Sequence, residues 1–322
     1  MTTSREVRLN AIPDGLPTPE HFTIAETALP APAEGEVLVR NRFFQVFPAV
    51  RTLFGGGVKG TPFPAIGPGE PLIGMAIGEV VEGDLPTGTL VSHWQGWREY
   101  AVVPVDQVTP IGDVLTDPVA HLSQGLSAYT ALTKCAEVRE GDTVFISGGA
   151  GGVGSLAAQY AKQLGAGRVV GSTGSQWKAE RMRSELGYDE VLKRGEAPEG
   201  IDVFLDNVGG EQLTRAVANA NDGARFVLVG ALSSQLSPDH AGTTAFTEID
   251  LLRLIANRIT VRGLSPRDSW AVQAEWEERF AGWLRTGEVT FPHTKISGIE
   301  NAPRALQELL AGQHVGAVVV EL

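Results

Sequence analysis

The sequence predicts an α/β protein in two parts, a β-rich, barrel-like portion followed by a doubly wound parallel sheet. Up to about residue 125, short β-like runs are punctuated by glycine and proline; from about residue 141, strands alternate with amphipathic helices. A glycine-dense turn, SGGAGGVGS, stands where the rhythm changes.

In the first part VLVRNRFFQV at 37–46, IGEVVEG at 77–83, TLVSHW at 89–94 and REYAVV at 98–103 read as strands. Between the first two, FPAVRTLFGGGVKGTPFPAIGPGEP at 47–71 has loop chemistry and is long enough to be functional. In the second part TVFIS is a strand, followed by a helix over 152–164. There Val153, Leu156, Ala157, Tyr160, Ala161 and Leu164 fall on one apolar stripe. RVVGST is the next strand and 176–186 the next helix. Further strands are IDVFLD at 201–206, RFVLVG at 225–230 and ITVRGL at 259–264, separated by the helical patterns EQLTRAVANA and IDLLRLIANR. A helix over 270–286 precedes a return to β character that ends in VGAVVVEL. The expected division is 1–124, 125–288, and a terminal 289–322 that rejoins the first domain.

Composition narrows the function classes. The 322 residues exceed what one core organises, and 43% apolar with 20% charged residues is the balance of a folded chain. A net charge of −12 argues against general attraction to nucleic acid or anionic membranes, and acidity alone names no partner. No apolar run has the length of a secretory signal or membrane span, so a cytoplasmic location is expected. Cys135 is the only cysteine, and none of the six histidines forms a helical HxxxH pair. No metal site is expected.

Gly149, Gly151 and Gly154 have GxGxxG spacing directly after an apolar strand and before an amphipathic helix. Such a turn needs unusual backbone angles, a backbone bare toward a pyrophosphate, and close helix-to-strand contact. The amides around Gly149, Gly151, Gly152, Val153 and Gly154 are therefore the expected dinucleotide cradle, at a helix N-terminus whose free N–H groups favour anions. An NAD site places a carboxylate at the end of the second strand, about twenty residues on. Here that stretch reads GSTGSQWK. Ser172, Thr173 and Ser175 are small hydroxyl residues suited to a 2′-phosphate, and Lys178 lies one turn into the next helix, so NADPH is expected over NADH. The plain alternative for Lys178 is an ordinary solvated lysine.

With these motifs in view, the chain resembles the zinc-independent medium-chain reductases typified by leukotriene B4 12-hydroxydehydrogenase/prostaglandin reductase, plant double-bond reductases and bacterial curcumin reductase. The likeness runs almost end to end. It rests on LPAPAEGEVLVRNRFFQ, HWQGWREY at 93–100, GLSAYTAL at 125–132, the glycine turn, FLDNVGGE at 204–211, RFVLVGAL at 225–232 and ITVRGL at 259–264. It implies a GroES-like barrel domain joined to a Rossmann domain, nicotinamide in the cleft between them, and hydride delivery to the β-carbon of an α,β-unsaturated carbonyl. By matching position it implies Ser127 and Thr130 near the nicotinamide, Lys178 and Arg194 near the 2′-phosphate, and Asn207 with Gly230 beside the cofactor. Arg194 stands where relatives often carry tyrosine; an exposed salt bridge is its plain alternative. Two departures mark the substrate side. FPAVR at 47–51 replaces a DPYMR-like segment, so no tyrosine role transfers to Ala49, and His314 stands where an asparagine is expected.

Reduction of an activated C=C without metal needs hydride transfer, a hold on the enolate oxygen, and a proton for the α-carbon. Tyr129 is the one named donor candidate, with simple packing as its alternative. Phe47, Trp94 and Trp97 are candidates for an apolar wall, Arg51 for an anionic substrate group, and the 233–252 segment for the substrate side of the cleft. Competing functions are an NADPH:quinone oxidoreductase and a non-catalytic NADPH-binding sensor. The expected partners are a small conjugated carbonyl or quinone and a second copy of the chain, paired through an edge strand near RFVLVG.

Overall fold

The computed structural model describes residues 3–54, 56–57, 63–238 and 242–322, and of Pro266 the backbone alone. The chain divides into two compact units: Met1–Leu122 with Gln235–Thr243 and His293–Leu322, and Ser123–Ser234 with Thr244–Pro292. The second is therefore not the unbroken 125–288 run expected from sequence, because Gln235–Thr243 packs within the first.

In the first unit Glu36–Val46 is the organising strand. One edge pairs antiparallel with Ala76–Gly83; the other pairs first with Tyr100–Pro104 and then with Ala317–Glu321. The C-terminal strand thus completes this unit's sheet, with His293–Ser297 parallel on its far side. A separate hairpin, Thr3–Leu9 with Phe22–Ala28, has no clear sequence signal. Its inward positions include Ser4 and Glu6, which hide the apolar alternation; both are buried and bonded, Ser4 to the Tyr100 amide at 3.0 Å and Glu6 to Arg8 at 2.6 Å. The 47–71 segment is not all loop. Val50–Phe54 forms a short helix whose five residues are all buried, with Val50, Leu53 and Phe54 joining Val7, Leu9, Phe44, Trp97, Leu306 and Val318 in the core. Residues 55 and 58–62 of that segment lie outside the described residues.

The second unit is a six-stranded parallel sheet in the order Glu190–Lys193, Arg168–Thr173, Thr143–Ile146, Ile201–Asp206, Ala220–Leu228, Thr260–Gly263. Phe145 stacks on Phe204 at 4.9 Å, and Phe226 meets Phe204 edge-on. Burial of each such ring contributes about 1.5–3 kcal/mol. The helix predicted over 152–164 spans Gly152–Gln163, and Leu156, Ala157, Tyr160 and Ala161 on its stripe are fully buried. The helix expected from 270 begins at Gln273, after a separate turn Pro266–Trp270 capped by Ser265. RFVLVG is not an edge strand: Ala220–Leu228 is flanked on both sides, and the edge beside it is Thr260–Gly263, whose four residues are exposed. Strand propensity alone does not order strands in a sheet, whose two edges here are Glu190–Lys193 and Thr260–Gly263. Among the described residues no helix is long and apolar enough to cross a membrane.

Candidate functional site

From the central strand Thr143–Ile146 the chain builds outward on one side and then returns to build the other. The carboxyl ends of Thr143–Ile146 and Ile201–Asp206 thus flank the reversal of strand order, where open α/β sheets form a ligand crevice. The glycine turn leaves the first of these strands.

Each glycine in that turn has its own reason. Gly148, not Gly149, carries the left-handed backbone, with φ of +60°. A Cβ on Gly149 would come within 2.5 Å of the Met182 methyl and 2.7 Å of the Tyr188 hydroxyl; one on Gly154 would come within 2.7 Å of the Gly148 carbonyl. Gly152 lies under the Gln124 carboxamide. Gly151 differs from these: it is exposed, has an ordinary φ of −77°, and its Cβ would meet only the Gly148 carbonyl, at 3.3 Å. That one contact is with backbone of the same turn, while exposed bare backbone is what an approaching phosphate needs. Beside it the first-turn amides of Gly152, Val153 and Gly154 precede the first helical bond, Ser155 to Gly151 at 2.9 Å.

The turn is tied to the second strand by Gly149 N–H donating to the Ser172 carbonyl at 3.0 Å. At that strand's end the residues divide. Ser172 is 2% exposed and its hydroxyl bonds the Gln212 side chain at 3.1 Å, so it braces the loop from inside and is withdrawn from the anion role expected of it. Thr173, Gly174 and Ser175 remain accessible, and the Arg194 guanidinium approaches Gly174, whose Cβ would come within 3.2 Å of it. Lys178 is 8% exposed, which removes the solvated-lysine alternative. Burial first, and the Arg194 charge second, push its pKa down to about 8. Among the described residues no carboxylate pairs with Lys178 or Arg194, so the salt-bridge alternative for Arg194 also fails. The two are neighbouring cations, and such a local charge is suited to an anion.

At the reversal point Asn207 and Gly230 are brought together: a Cβ on Gly230 would meet the Asn207 carbonyl at 2.9 Å. The Asn207 side chain donates to the Ser147 carbonyl at 2.7 Å, and its amide donates to the Ser147 hydroxyl at 2.8 Å. Sequence reading passed over the residue that organises this turn. Asp206 is fully buried and accepts from the Ser147 hydroxyl at 2.7 Å, the Val208 amide at 2.9 Å and the Gly209 amide at 3.0 Å. Burial raises its pKa against those bonds. A carboxylate ending an apolar strand just before NVGG was the available signal.

GLSAYTAL forms the helix Gly125–Thr130, continued by a π-turn over Ala131–Cys135. Ser127 is half-buried on it. Thr130 is fully buried, with its hydroxyl donating to the Leu126 carbonyl at 2.7 Å, so it serves the helix and has no surface to offer a nicotinamide. Tyr129 is also fully buried, and its hydroxyl donates to Glu275 at 2.5 Å. Burial, then that bond, raises its pKa to about 12. A phenol so engaged and so weakly acidic is not a proton donor to substrate, and the candidacy of Tyr129 is withdrawn.

In the first unit Phe47 and Trp94 meet edge-on at 6.3 Å, and Phe63, which the sequence reading missed, lies 4.8 Å from Trp94. Trp94 keeps 44% of its surface exposed, whereas Trp97 is fully buried in the core. Arg51 is 3% exposed; it donates to the Gln235 carbonyl and to the Gly15 carbonyl, the latter at 2.9 Å. It fastens three segments of one unit and is not presented to a substrate anion. Residues 239–241 of the 233–252 segment lie outside the described residues.

A family model described as the N-terminal domain of oxidoreductase matches residues 5–111, and one described as zinc-binding dehydrogenase matches 152–284. YfmJ of Bacillus subtilis (strain 168), assigned as an NADP-dependent oxidoreductase, is 32% identical, with the alignment covering 100% of this chain and 99% of that protein. The chain belongs to the zinc-independent medium-chain dehydrogenase/reductase family. Within this family it is 29% identical to the 2-alkenal reductase (NADP(+)-dependent) of Nicotiana tabacum, over 88% of this chain and 87% of the other. The structure of CurA from Vibrio vulnificus in complex with NADPH superimposes with a TM-score of 0.87 at 27% identity, over 98% of both chains. A doubly wound sheet and an antiparallel β unit are thus the family's two folds. Among the described residues no three His, Cys, Asp or Glu side chains gather to hold a metal.

Proposed function

We propose that this protein is an NADPH-dependent reductase of the C=C bond of α,β-unsaturated carbonyls, acting without a metal. The observation that carries the cofactor choice is the Lys178–Arg194 cation pair at the end of the second strand, free of any carboxylate among the described residues. Similarity to the tobacco 2-alkenal reductase and to the NADPH-bound CurA supports the reaction class.

The residues fit the cofactor. Exposed Gly151 and the unpaired first-turn amides receive the diphosphate; Lys178, Arg194, Thr173 and Ser175 receive the 2′-phosphate. Asn207 and Gly230, held by Ser147 and Asp206, border the dinucleotide at the reversal of strand order. When bound, reduced nicotinamide supplies the hydride for the β-carbon. The apolar group of Phe47, Phe63 and Trp94 offers a wall for a flat conjugated substrate. With Tyr129 engaged elsewhere, the α-carbon proton comes from water.

Purified, metal-stripped protein should oxidise NADPH in preference to NADH against a panel of enones, enals, cinnamoyl compounds and quinones. Saturated carbonyl products establish the reading. Turnover confined to quinones replaces it with a quinone reductase, and tight NADPH binding without turnover on any acceptor replaces it with a sensor.

A further inference from the structure

Tyr188 lies beneath the glycine turn, 3% exposed, with no place in the chemistry so far. Its hydroxyl is 3.0 Å from the Gly149 carbonyl oxygen and 2.8 Å from that of Gly154. Its ring fills the space that Gly149 and Gly171 leave open: a Cβ on Gly171 would come within 2.5 Å of the ring edge. Ring packing alone would be met equally by phenylalanine. The hydroxyl adds one proton, shared between the Gly149 carbonyl in the loop and the Gly154 carbonyl in the helix's first turn.

The contact with Gly149 has a consequence on the opposite side of the peptide. In a trans peptide the C=O and the following N–H point in opposite directions. Because the Gly149 carbonyl is turned onto Tyr188, the amide of Ala150, a residue 4% exposed, points away from the Tyr188 hydroxyl. Among the described residues nothing accepts a hydrogen bond from that amide, although Gly149 and Gly151 on either side donate to the Ser172 and Gly148 carbonyls.

We propose that Tyr188 is a positioning residue for the dinucleotide's diphosphate, turning the Gly149–Ala150 peptide so that the Ala150 N–H joins the first-turn amides in donating to a phosphate oxygen. The inference rests on reading the glycine turn as the cofactor site. The diphosphate is common to NADPH and NADH, so the Tyr188 hydroxyl strengthens both, whereas Lys178 and Arg194 act on NADPH alone.

The test is Tyr188→Phe, with NADPH and NADH dissociation constants measured by fluorescence titration alongside thermal unfolding of the cofactor-free protein. Both constants should rise by about five- to tenfold, the effect of one lost hydrogen bond. Their ratio, kcat at saturating NADPH and the KM for the enone should stay unchanged. A lower unfolding temperature with both dissociation constants unaltered overturns the proposal and leaves Tyr188 a packing residue. Should the variant not fold, the wild-type amide resonances decide. On NADPH addition the Ala150 signal should shift and become protected from exchange, and an unmoved signal overturns the proposal. Failure of the wild type to bind either dinucleotide overturns the cofactor reading as well; normal wild-type binding with an unaffected variant overturns only the role of Tyr188.

Discussion

The Tyr129 hydroxyl donates to the Glu275 carboxylate at 2.5 Å, joining the helix Gly125–Thr130 to the helix Gln273–Thr286. The bond is internal to one unit and spends the only proton that the phenol has. Tyr129→Phe should therefore retain kcat and kcat/KM for enones within about twofold while losing ~1 kcal/mol of stability. Steady-state kinetics and denaturant unfolding check both; a large fall in kcat with stability intact would restore Tyr129 as a donor.

Lys178 gives a pH signature. Its folded pKa, about 8, lies below the ordinary lysine value of 10.5, because burial and Arg194 disfavour the charged form. Between those values the unfolded chain holds the proton and the folded one does not, so cofactor-free stability rises as pH increases through that window. A 2′-phosphate favours the charged form, so NADPH affinity should weaken as pH is raised from 7 to 9, with NADH affinity much less affected. Titrations of the two cofactors across this range are the check.

Replacement of the same lysine separates charge from packing. Lys178→Met should lower the NADPH:NADH affinity ratio by about 10- to 100-fold, the scale of a lost charge-assisted phosphate contact, and should raise the unfolding temperature by removing a buried cation beside Arg194. Lys178→Glu should reduce the ratio further. An unchanged ratio in both variants would remove Lys178 from the site.

Arg51 is spent on the Gln235 and Gly15 carbonyls. Arg51→Met should cost about 1–2 kcal/mol by removing both hydrogen bonds to these half-buried residues, and any rise in KM should be the same for neutral and anionic enones. Selective loss of the anionic substrates would instead place the guanidinium at the substrate.

Thr260–Gly263 is an exposed sheet edge, with Leu252 and Ile255 on the neighbouring helix 77% and 72% exposed. Free edges and apolar patches together favour pairing with a second copy. Light scattering should give twice the 34.2 kDa chain mass, and Val261→Lys should shift the protein toward monomer. A monomeric wild type would end the expectation of a homodimer.

Much of the cofactor half was legible in advance because its signals are local. GxGxxG spacing, the apolar stripe of the following helix and the absence of a carboxylate from GSTGSQWK depend on neighbours in sequence, and each has a direct backbone or electrostatic reason. Gly151 was recognised by spacing; that it is the exposed glycine of the turn, met only by the Gly148 carbonyl, emerged only from the folded geometry. The roles of hydroxyl and charged side chains did not carry over in the same way. Thr130, Ser172, Tyr129 and Arg51 all have chemistry suited to a site, yet each is buried with its polar group already engaged, by Leu126, Gln212, Glu275 and Gln235 respectively. Their partners range from four to 184 residues away along the chain.

By itself the sequence determined the two-part α/β architecture, the glycine turn and the preference for a phosphate-bearing dinucleotide, since periodicity, glycine spacing and missing charge act over a few residues. Only the tertiary structure decided that Lys178 is buried beside Arg194, that Asp206 and Tyr188 hold the turns, that Thr260–Gly263 is an exposed edge, and that Tyr129 faces Glu275. The physical reason is that burial and hydrogen-bond partnership are set by segments distant in sequence, and these decide whether a polar group is available to a ligand or already satisfied within the fold.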